Sequence, residues 1–282
     1  MTIIFYILLI LQVKSTQGYH CHVCSIHVIG YSASSHDLQS PMYDDCDIRS
    51  ATHSCYIRID WLSDGTTEIS YETNSLIPID SVVVSTRRHI DFHTGEYSTV
   101  QSIGYSCGSN RTSCNTVKTL KRILSAITLP IDQQLRRLDN FIYPMNAFNG
   151  SSCSMMTSNR NHHCSIKNSI DCKQCVGSVI QYLDHSDWCS TCLTNQTNGN
   201  FIDYEVVISL RTNSQLEKVN VVCQTHAHCN SLENMNRIKE ILAIDFNPTK
   251  FFHSKASTTT MSTLVLIIST IFTFVSGLFS SQ

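Results

Sequence analysis

The same cysteine-containing signature occurs twice in this 282-residue chain. The first copy runs from Cys107 to Asn115 and the second from Cys223 to Asn230, and each ends in Cys-Asn. An apolar pattern with helical spacing follows each copy, so the repeat extends beyond the cysteines. Its members are Val117, Leu120, Leu124 and Ile127 after the first copy, and Leu232, Met235, Ile238 and Leu242 after the second. The sequence therefore predicts two related modules in tandem, a number that the chain length accommodates.

The N-terminal segment is typical of a secretory signal. An apolar run of nine residues, from Ile3 to Leu11, leads to small residues just before Tyr19. This run is too short to cross a bilayer, whereas small residues suit cleavage by signal peptidase. We therefore predict a signal peptide over residues 1–18. The alternative, a buried N-terminal strand, fits this order of segments less well.

The C-terminal segment has the pattern of a signal for glycosylphosphatidylinositol (GPI) attachment. Small residues around Ser254 precede a polar spacer of nine residues (255–263) and an apolar tail of sixteen (264–279). Such a tail is removed when the lipid is attached. A transmembrane helix is the alternative, but the tail is short, contains Ser and Thr, and has no Lys or Arg after it. Ser254 is the expected attachment residue, with Ala256 and Ser257 as alternatives.

All fourteen cysteines lie between the two terminal signals. Because the secretory pathway is oxidising, we predict disulfide bonds rather than free thiols. The cysteines form two sets of six with a pair between them, and from the residues alone each set of six allows fifteen connectivities. The first set is Cys21, Cys24, Cys46, Cys55, Cys107 and Cys114; the second is Cys172, Cys175, Cys189, Cys192, Cys223 and Cys229; the pair is Cys153 and Cys164.

Each set begins with a CxxC pair and ends with Cys-Asn, and in this the chain resembles the Ly6/uPAR three-finger family. The resemblance covers most of residues 19–115 and 171–230. It implies a small disulfide-rich β fold of two tandem three-finger modules, each followed here by a short helix. It also implies the pairing of the cysteines. The implied bridges are Cys21–Cys55, Cys24–Cys46 and Cys107–Cys114 in the first module, and Cys172–Cys192, Cys175–Cys189 and Cys223–Cys229 in the second.

The resemblance also implies a role for the asparagine that closes each module. In the family this residue joins neighbouring loops by hydrogen bonds from its amide, which implies the same structural role for Asn115 and Asn230. The alternative is that each asparagine caps the helix that follows it, a position where Asn is favoured. Glu233, three residues after Asn230, fits that alternative as well.

These signatures predict the organisation of the chain. Residues 141–170 are expected to form a linker, within which Cys153 and Cys164 form a local bridge. The expected segments are the signal peptide (1–18), the first module with its helix (19–140), the linker (141–170), the second module with its helix (171–246), a stem with the attachment region (247–263) and the apolar tail (264–282).

Alternation of apolar and polar residues predicts a β-hairpin in each module. In the first, Ile57 and Ile59 alternate with charged residues and lead to a turn at Ser63-Asp64-Gly65. In the second, Asn198-Gly199 is the expected turn, and a strand with alternating apolar residues follows over residues 204–210. Sequons at Asn110, Asn149 and Asn195 predict N-glycosylation of a secreted chain.

The spacing of Cys172, Cys175, Cys189 and Cys192 is close to that of a four-cysteine zinc site. Zinc would need these thiols reduced, so in an oxidising compartment we expect disulfides instead, with no metal and no cofactor. The histidine pairs His162-His163 and His226-x-His228 are more typical of solvent-exposed loops than of a ligand set. No P-loop, HExxH or GxGxxG pattern is present, so no enzyme is expected.

The predicted function is binding without catalysis. A formal net charge of −2 offers no electrostatic basis for contact with nucleic acid. The resemblance implies binding of an extracellular or membrane protein through loops, and the contact surface is expected between Cys55 and Cys107 and between Cys192 and Cys223. The membrane would be a second partner, through the GPI lipid. The alternatives are a structural adhesion or membrane-organising protein and, third, a secreted zinc-binding module.

The C-terminal signal generates a direct test. Phosphatidylinositol-specific phospholipase C should release the protein from intact cells, because the enzyme cleaves the lipid of a GPI anchor. The measurement is the amount of protein in the supernatant before and after treatment. Retention on the cells after treatment, with a control GPI protein released, would support the transmembrane alternative.

Overall fold

The computed structural model describes residues 19–36, 38, 46–73, 77–108, 114–144, 148, 153–158, 164, 172–225 and 228–253. The expected signal peptide, the expected attachment region from Ser254 onwards, and the sequons at Asn110 and Asn149 lie outside the described residues. Most of the described chain is β-strand, with short helices and seven disulfide bonds. The expectation of a disulfide-rich β fold is thereby confirmed.

Thirteen strands and five helices make up the described part of the chain. The strands are β1 (Tyr19–Ile29), β2 (Cys46–Ala51), β3 (Cys55–Trp61), β4 (Thr67–Thr73), β5 (Ser81–Asp91), β6 (Tyr97–Cys107), β7 (Ile127–Thr128), β8 (Met156–Thr157), β9 (Gln174–Gln181), β10 (Ser186–Leu193), β11 (Gly199–Ser209), β12 (Ser214–Cys223) and β13 (Asp245–Phe246). The helices are α1 (Val117–Ala126), α2 (Asp132–Arg136), α3 (Asp139–Ile142), α4 (Leu232–Leu242) and α5 (Pro248–His253).

The alternation that predicts a hairpin in the first module is confirmed. In β3, Ile57 and Ile59 are buried in the core, whereas Arg58 projects from the opposite face. The strand pairs with β4, and Gly65 in the connecting turn has a φ of 84°, a conformation that glycine adopts without steric cost.

One eleven-stranded sheet contains all the long strands. Its first half consists of three antiparallel hairpins, β1–β2, β3–β4 and β5–β6, in the order β2-β1-β4-β3-β6-β5. Its second half continues as β11-β12-β9-β10-β8. The second half therefore repeats the order of the first, counted outwards from the boundary between β5 and β11.

The two halves are related by a local twofold axis. Ser85 and Glu205 are equivalent residues, because their cross-strand partners Ser102 and Lys218 each lie five residues before the last cysteine of β6 or β12. Ser85 and Glu205 also pair with each other across the joint between β5 and β11. The axis therefore passes between these two residues, and the halves run in opposite directions.

Because of this antiparallel arrangement, the hairpin tips of one half lie beside the cysteine-rich end of the other. The backbone amide of Leu210, next to a tip of the second half, donates to the carbonyl of Asp80 in the first half at 2.8 Å. Near the other end of the joint, Phe92 donates to Asn198 at 2.9 Å. The chain thus forms one continuous sheet rather than two modules that a linker holds apart. The pairing satisfies the backbone groups of two strands that would otherwise be exposed edges.

The turn expected at Asn198-Gly199 is not a hairpin turn, and that prediction is wrong. Gly199 is the first residue of β11 and pairs with Asp91. A Cβ atom at this position would lie 2.1 Å from the carbonyl oxygen of Ile90, so the close approach of two backbones requires glycine. The hairpin of β11 turns after Ser209, where Asn213 has a φ of 50°.

A helix follows each Cys-Asn signature, as the apolar pattern predicts. The Thr116 side chain caps α1 by accepting from the amide of Thr119, and the Ser231 side chain caps α4 by accepting from that of Asn234. The helices bury five of the eight apolar residues that the sequence singles out, namely Val117 and Leu120 in α1, and Met235, Ile238 and Leu242 in α4. Leu124 and Leu232 are half-buried, and Ile127 is buried but lies just beyond α1, in β7.

The helices pack against one face of the sheet and exchange partners between the halves. After α1 the chain forms β7 and then α2, which packs against α4 of the second half. After α4 the chain forms β13, which pairs with β7, and then α5, which packs against α1 of the first half. Phe251 of α5 is buried and makes an edge contact with Tyr105 of β6, with ring centroids 6.0 Å apart.

All fourteen cysteines are paired. Five of the seven bridges are those that the resemblance implies. They are Cys21–Cys55, Cys24–Cys46, Cys107–Cys114, Cys172–Cys192 and Cys223–Cys229. The other two correct the sequence-based pairing: Cys175 bonds Cys153, and Cys189 bonds Cys164. The expected bridges Cys175–Cys189 and Cys153–Cys164 are therefore absent.

The register of the strands explains the correction. Cys175 pairs with Cys223 across β9 and β12, as Cys55 pairs with Cys107 across β3 and β6. Cys175 is thus the counterpart of Cys55, and its bridge to Cys153 is the counterpart of Cys21–Cys55. The CxxC pair that ends at Cys175 lies at the start of a middle hairpin and does not mark the first strand of the second half.

The expected linker therefore contains part of the second half. Cys153 and Cys164 both bond to cysteines of the sheet, and β8 pairs with β10 at its outer edge. The boundary predicted near residue 171 is wrong for this reason, because the second half includes residues 153–158.

Asn115 and Asn230 have the structural role that the resemblance implies. Asn115 accepts from the amide of His22 at 3.0 Å and donates to the carbonyls of His22 (2.7 Å) and Tyr56 (3.2 Å). Asn230 accepts from the amide of Ser154 at 2.8 Å and donates to the carbonyl of that residue at 3.0 Å. It also donates to the carbonyls of Val176 (2.9 Å) and Thr191 (3.1 Å). Both side chains are fully buried, and the helix caps are the residues that follow them.

Mapping the disulfides tests the corrected pairing. Proteolysis without reduction should yield peptides that join Cys153 to Cys175 and Cys164 to Cys189, because the strand register brings these pairs together. Mass spectrometry of the peptides before and after reduction is the measurement. A peptide that joins Cys175 to Cys189 would contradict the register of the second half.

Replacing either asparagine should destabilise the fold. In Asn115→Ala or Asn230→Ala, buried backbone groups lose their partners, and we expect a loss of about 3 kcal/mol in the free energy of unfolding. Denaturation by guanidinium chloride measures this loss. Asn236→Ala is the matched control, because Asn236 is exposed on α4 and should change stability by less than about 0.5 kcal/mol. Equal effects at the three positions would contradict the structural role.

Candidate functional site

An apolar groove of about 640 Å³ lies where the hairpin tips of the second half meet the cysteine-rich end of the first half. One wall contains Pro78 and Ile79, from the connection before β5, and the other contains Leu183, from the turn between β9 and β10. Val207 of β11 and Leu216 of β12 pair with each other and form the floor. Both halves of the sheet therefore contribute to the groove.

Hydrogen bonds hold the wall from the first half in place. Asp80 has a φ of 58°, and its carbonyl accepts from the amide of Leu210 at 2.8 Å. Its carboxylate lies 3.5 Å from the guanidinium of Arg211, an exposed pair that adds little stability by itself. The connection is thereby fixed against the hairpin turn of the second half.

The opposite wall is a short, well-bonded turn. The amide of Tyr182 donates to the carbonyl of His185 at 2.8 Å, and the side chain of Gln181 donates to the carbonyls of both residues at 3.0 Å. The rings of Tyr182 and His185 stack at a centroid distance of 4.4 Å. These contacts present Leu183 to solvent on a rigid tip.

The groove exposes large apolar side chains. Leu183 is 79% exposed and Ile79 is 40% exposed. Burying a leucine side chain that is otherwise in water contributes roughly 1.5–3 kcal/mol, so a partner that covers this tip gains hydrophobic stabilisation. Adjacent exposed apolar residues on a concave surface are typical of a binding site.

The local twofold axis supplies a comparison within the molecule. The counterpart of Val207 in the first half is Arg87, and the counterpart of Leu216 is Val100. The counterpart of Leu183 is Ser63, which follows Leu62 in the turn between β3 and β4. The apolar residues at positions 183 and 207 are therefore particular to one end of the sheet.

An ion pair between Arg87 and Asp203 crosses the joint near the axis. Arg87 of β5 donates two hydrogen bonds to the carboxylate of Asp203 on β11, one of them at 2.8 Å, and these bonds raise the pKa of Arg87. Burial raises the pKa of the nearby Tyr56 phenol, and the carboxylate of Glu205 adds to this effect. This surface on the open face of the sheet is therefore polar, and Arg87 and Asp203 pair with each other within it.

The residues that the sequence singles out have structural roles and do not line the groove. The cysteines and the two asparagines hold the hairpins together at their bases. Asn195 is exposed in the connection between β10 and β11, a position accessible to a glycosyltransferase. Asn110, Asn149, His162, His163 and His226 lie outside the described residues.

The four cysteines with zinc-like spacing are divided among three bridges, Cys172–Cys192, Cys153–Cys175 and Cys164–Cys189. Their sulfur atoms are therefore not thiolates that could bind a metal together. Two other groups of described residues bring candidate ligand atoms close together, but their cysteines are also oxidised. They are Cys24, His27 and Cys46, and Cys175, Cys223 and Cys229.

The expected contact surface overlaps the groove only in part. Ile79 lies between Cys55 and Cys107, and Val207 and Leu216 lie between Cys192 and Cys223. Tyr182 and Leu183 lie outside both ranges, because no hairpin is predicted between Cys175 and Cys189 from the sequence. The β-branched residues Val176, Val179 and Ile180, followed by the turn residues Asp184 to Ser186, are the signal that could have identified it.

Comparison of the chain with models of protein families, with curated proteins and with solved structures finds no match. Among the described residues, no helix has both the length and the apolar character needed to cross a membrane.

Proposed function

We propose that this chain is a GPI-anchored cell-surface protein, built from two three-finger units, which binds a protein partner through the apolar groove without catalysis. The units are the two halves of the sheet with their helices, with residues 153–246 in place of the second module expected from the sequence. The partner is extracellular or is exposed on a membrane.

The arrangement of hairpins and bridges supports the three-finger assignment. Three consecutive hairpins leave a common base, where Cys21–Cys55 and Cys107–Cys114 lie and where Asn115 joins the first strand to β3. The second half repeats this base with Cys153–Cys175, Cys223–Cys229 and Asn230. Such a base fixes the fingers, so their tips can vary in sequence without loss of the fold.

The proposal of a surface protein rests on the two terminal sequence signals and on the cysteines. Seven disulfide bonds in one chain are typical of an oxidising compartment. The exposed sequon at Asn195 is compatible with passage through the secretory pathway.

The exposed, apolar groove is the observation that carries the proposed binding function. Its two walls come from different halves, so its shape depends on the joint between β5 and β11. On its floor, Val207 occupies the position that Arg87 has in the first half, and this favours an apolar partner over a charged one. A protein segment that inserts one or two apolar side chains between Ile79 and Leu183 would cover this surface.

Substitutions in the groove should weaken binding to cells. We would label a fragment of residues 19–253, which contains all described elements, and measure its saturation binding to cells of the source organism. Leu183→Ser and Val207→Arg should each weaken binding at least about tenfold, because they place at these positions the residue types found in the first half. Val28→Ser is the matched control, because Val28 is 63% exposed on β1, far from the groove in the sheet order.

Treatment of the cells with protease distinguishes the kinds of partner. Loss of binding after this treatment is the expected result for a protein partner. Binding that survives protease, or that falls equally in the control and groove variants, would contradict recognition of a protein through the groove.

A further inference from the structure

A second cavity, of about 490 Å³, lies between the sheet and α2, at the hairpin tips of the first half. We call it the aromatic cleft. Its chemistry differs from that of the apolar groove, because rings and polar side chains line it together. The residues that define it are Trp61, Tyr97, Thr99, Gln101, Asp132 and Arg136.

The sheet side of the aromatic cleft is rigid. Trp61 and Gln101 are cross-strand partners, and the indole N–H of Trp61 donates to the carbonyl of Ala33 at 2.9 Å. The side-chain amide of Gln101 donates to the carbonyl of Pro130 at 3.1 Å, which fixes the connection leading to α2. The carbonyl oxygen of the Gln101 amide has no hydrogen bond to a described residue and can accept one from a ligand.

Arg88 forms the back of the aromatic cleft, and three of its five N–H donors are used. Its guanidinium donates to both carboxylate oxygens of Asp139, at 2.8 and 3.0 Å, and to the hydroxyl of Thr99 at 2.7 Å. It also lies over the ring of Tyr97, 4.8 Å from the centroid. Burial raises the pKa of the Tyr97 phenol, so this group keeps its proton at neutral pH and remains a donor.

The α2 side of the aromatic cleft presents two charged groups that are not used internally. Asp132 and Arg136 lie one helical turn apart, yet neither makes an ion pair or a hydrogen bond with a described residue. The carboxylate offers acceptors and the guanidinium offers donors. The cleft therefore combines aromatic surface with planar polar groups of both kinds.

This combination fits a sugar ring. A pyranose has one face of C–H groups, which packs on an aromatic ring, and an edge of hydroxyls, each of which both donates and accepts a hydrogen bond. An apolar peptide side chain would make no hydrogen bond with Asp132, Arg136 or Gln101, and a nucleic acid would bring its phosphates against the carboxylate. The cavity volume suits a small ligand of one or two rings.

We propose that the aromatic cleft binds a hexose or hexosamine unit of a cell-surface glycan, with Trp61 as the platform and Asp132 and Arg136 as the hydrogen-bonding groups. This site is separate from the apolar groove, and its test does not depend on the identity of a protein partner.

Tryptophan fluorescence can report on the aromatic cleft alone. The chain has two tryptophans, so Trp188→Phe leaves Trp61 as the only indole. The full chain with this substitution would be purified in a detergent without sugar groups. It would be titrated with the methyl glycosides of glucose, galactose, mannose and N-acetylglucosamine, and with sialyllactose. At least one probe should change the emission of Trp61 and saturate, with a dissociation constant of about 1 mM, a value typical of weak ligands.

Variants on two helices test which groups hold the sugar. In the Trp188→Phe background, Asp132→Asn or Arg136→Gln should weaken the response roughly tenfold, because each removes charge-assisted hydrogen bonds. Glu233→Gln and Arg237→Gln are matched controls, since they alter an exposed acid and arginine at the same spacing on α4. These controls should leave the dissociation constant unchanged.

Three results would overturn the proposal. The first is no change in Trp61 emission with any probe up to about 50 mM, beyond the range of specific weak binding. The second is an equal emission change in the Trp61→Phe variant, in which Trp188 is the only indole. The third is that the α4 control substitutions weaken sugar binding as much as the Asp132 and Arg136 substitutions do. The titration of the Trp188→Phe variant, with no other substitution, shows whether the aromatic cleft binds a sugar even if an Asp132 variant fails to fold. Binding that survives protease treatment of the cells would contradict the proposed function but would leave the Trp61 titration unaffected, so the two proposals fail separately.

Discussion

The backbone ladder between β5 and β11 is the interaction on which the rest of the structure depends. Each strand would be the exposed edge of its own half, and an edge strand leaves a row of N–H and C=O groups without partners in the protein. The ladder pairs all eleven residues of β5 with β11 and buries Val82, Val84, Val206 and Ile208 beside it. It also aligns Ile79 with Leu183, without which the apolar groove has only one wall.

No disulfide bond crosses this joint. Each bridge lies within one half, so the cysteines stabilise the hairpin bases but do not hold the halves together. The joint depends on the ladder, on the Arg87–Asp203 pair and on the exchange of α2 and α5 between halves. The segments that lead to α2 and α5 pass each other at the two-stranded β7–β13 sheet. The arrangement combines stiff, crosslinked units with a noncovalent contact that sets their orientation.

Much of the local structure could be predicted from the sequence. The repeated Cys-Asn signature locates both hairpin bases, and the alternation around Ile57 locates β3 because that strand is half-buried in the usual way. The helices are recognisable because their apolar residues recur at helical spacing on one face, as Met235 and Ile238 do. In each case the signal is local, since a short stretch of residues determines the element.

The arrangement of those elements could not be predicted, because it depends on contacts between residues distant in sequence. Nothing local distinguishes Cys175, which starts a middle hairpin, from the second cysteine of an opening CxxC. The sequence therefore predicts a start of the second half that is too late in the chain. Val82 to Val84 form an apolar run without the alternation of apolar and polar residues. The run therefore does not indicate that this edge strand pairs with the other half of the sheet. The groove was missed for the same reason, since Ile79 and Leu183 meet only through the twofold arrangement.

The docking of α5 has a mechanical consequence. The last described residue, His253, ends a helix that belongs to the second half by connectivity but packs on α1 of the first half, with Phe251 buried against Tyr105. Tension applied at this terminus would act first on that small helical contact and on the two-residue ladder of β13, both of which lie outside the disulfide loops. The helix would therefore detach before the crosslinked sheet is strained, and the disulfide-linked hairpins would keep their shape.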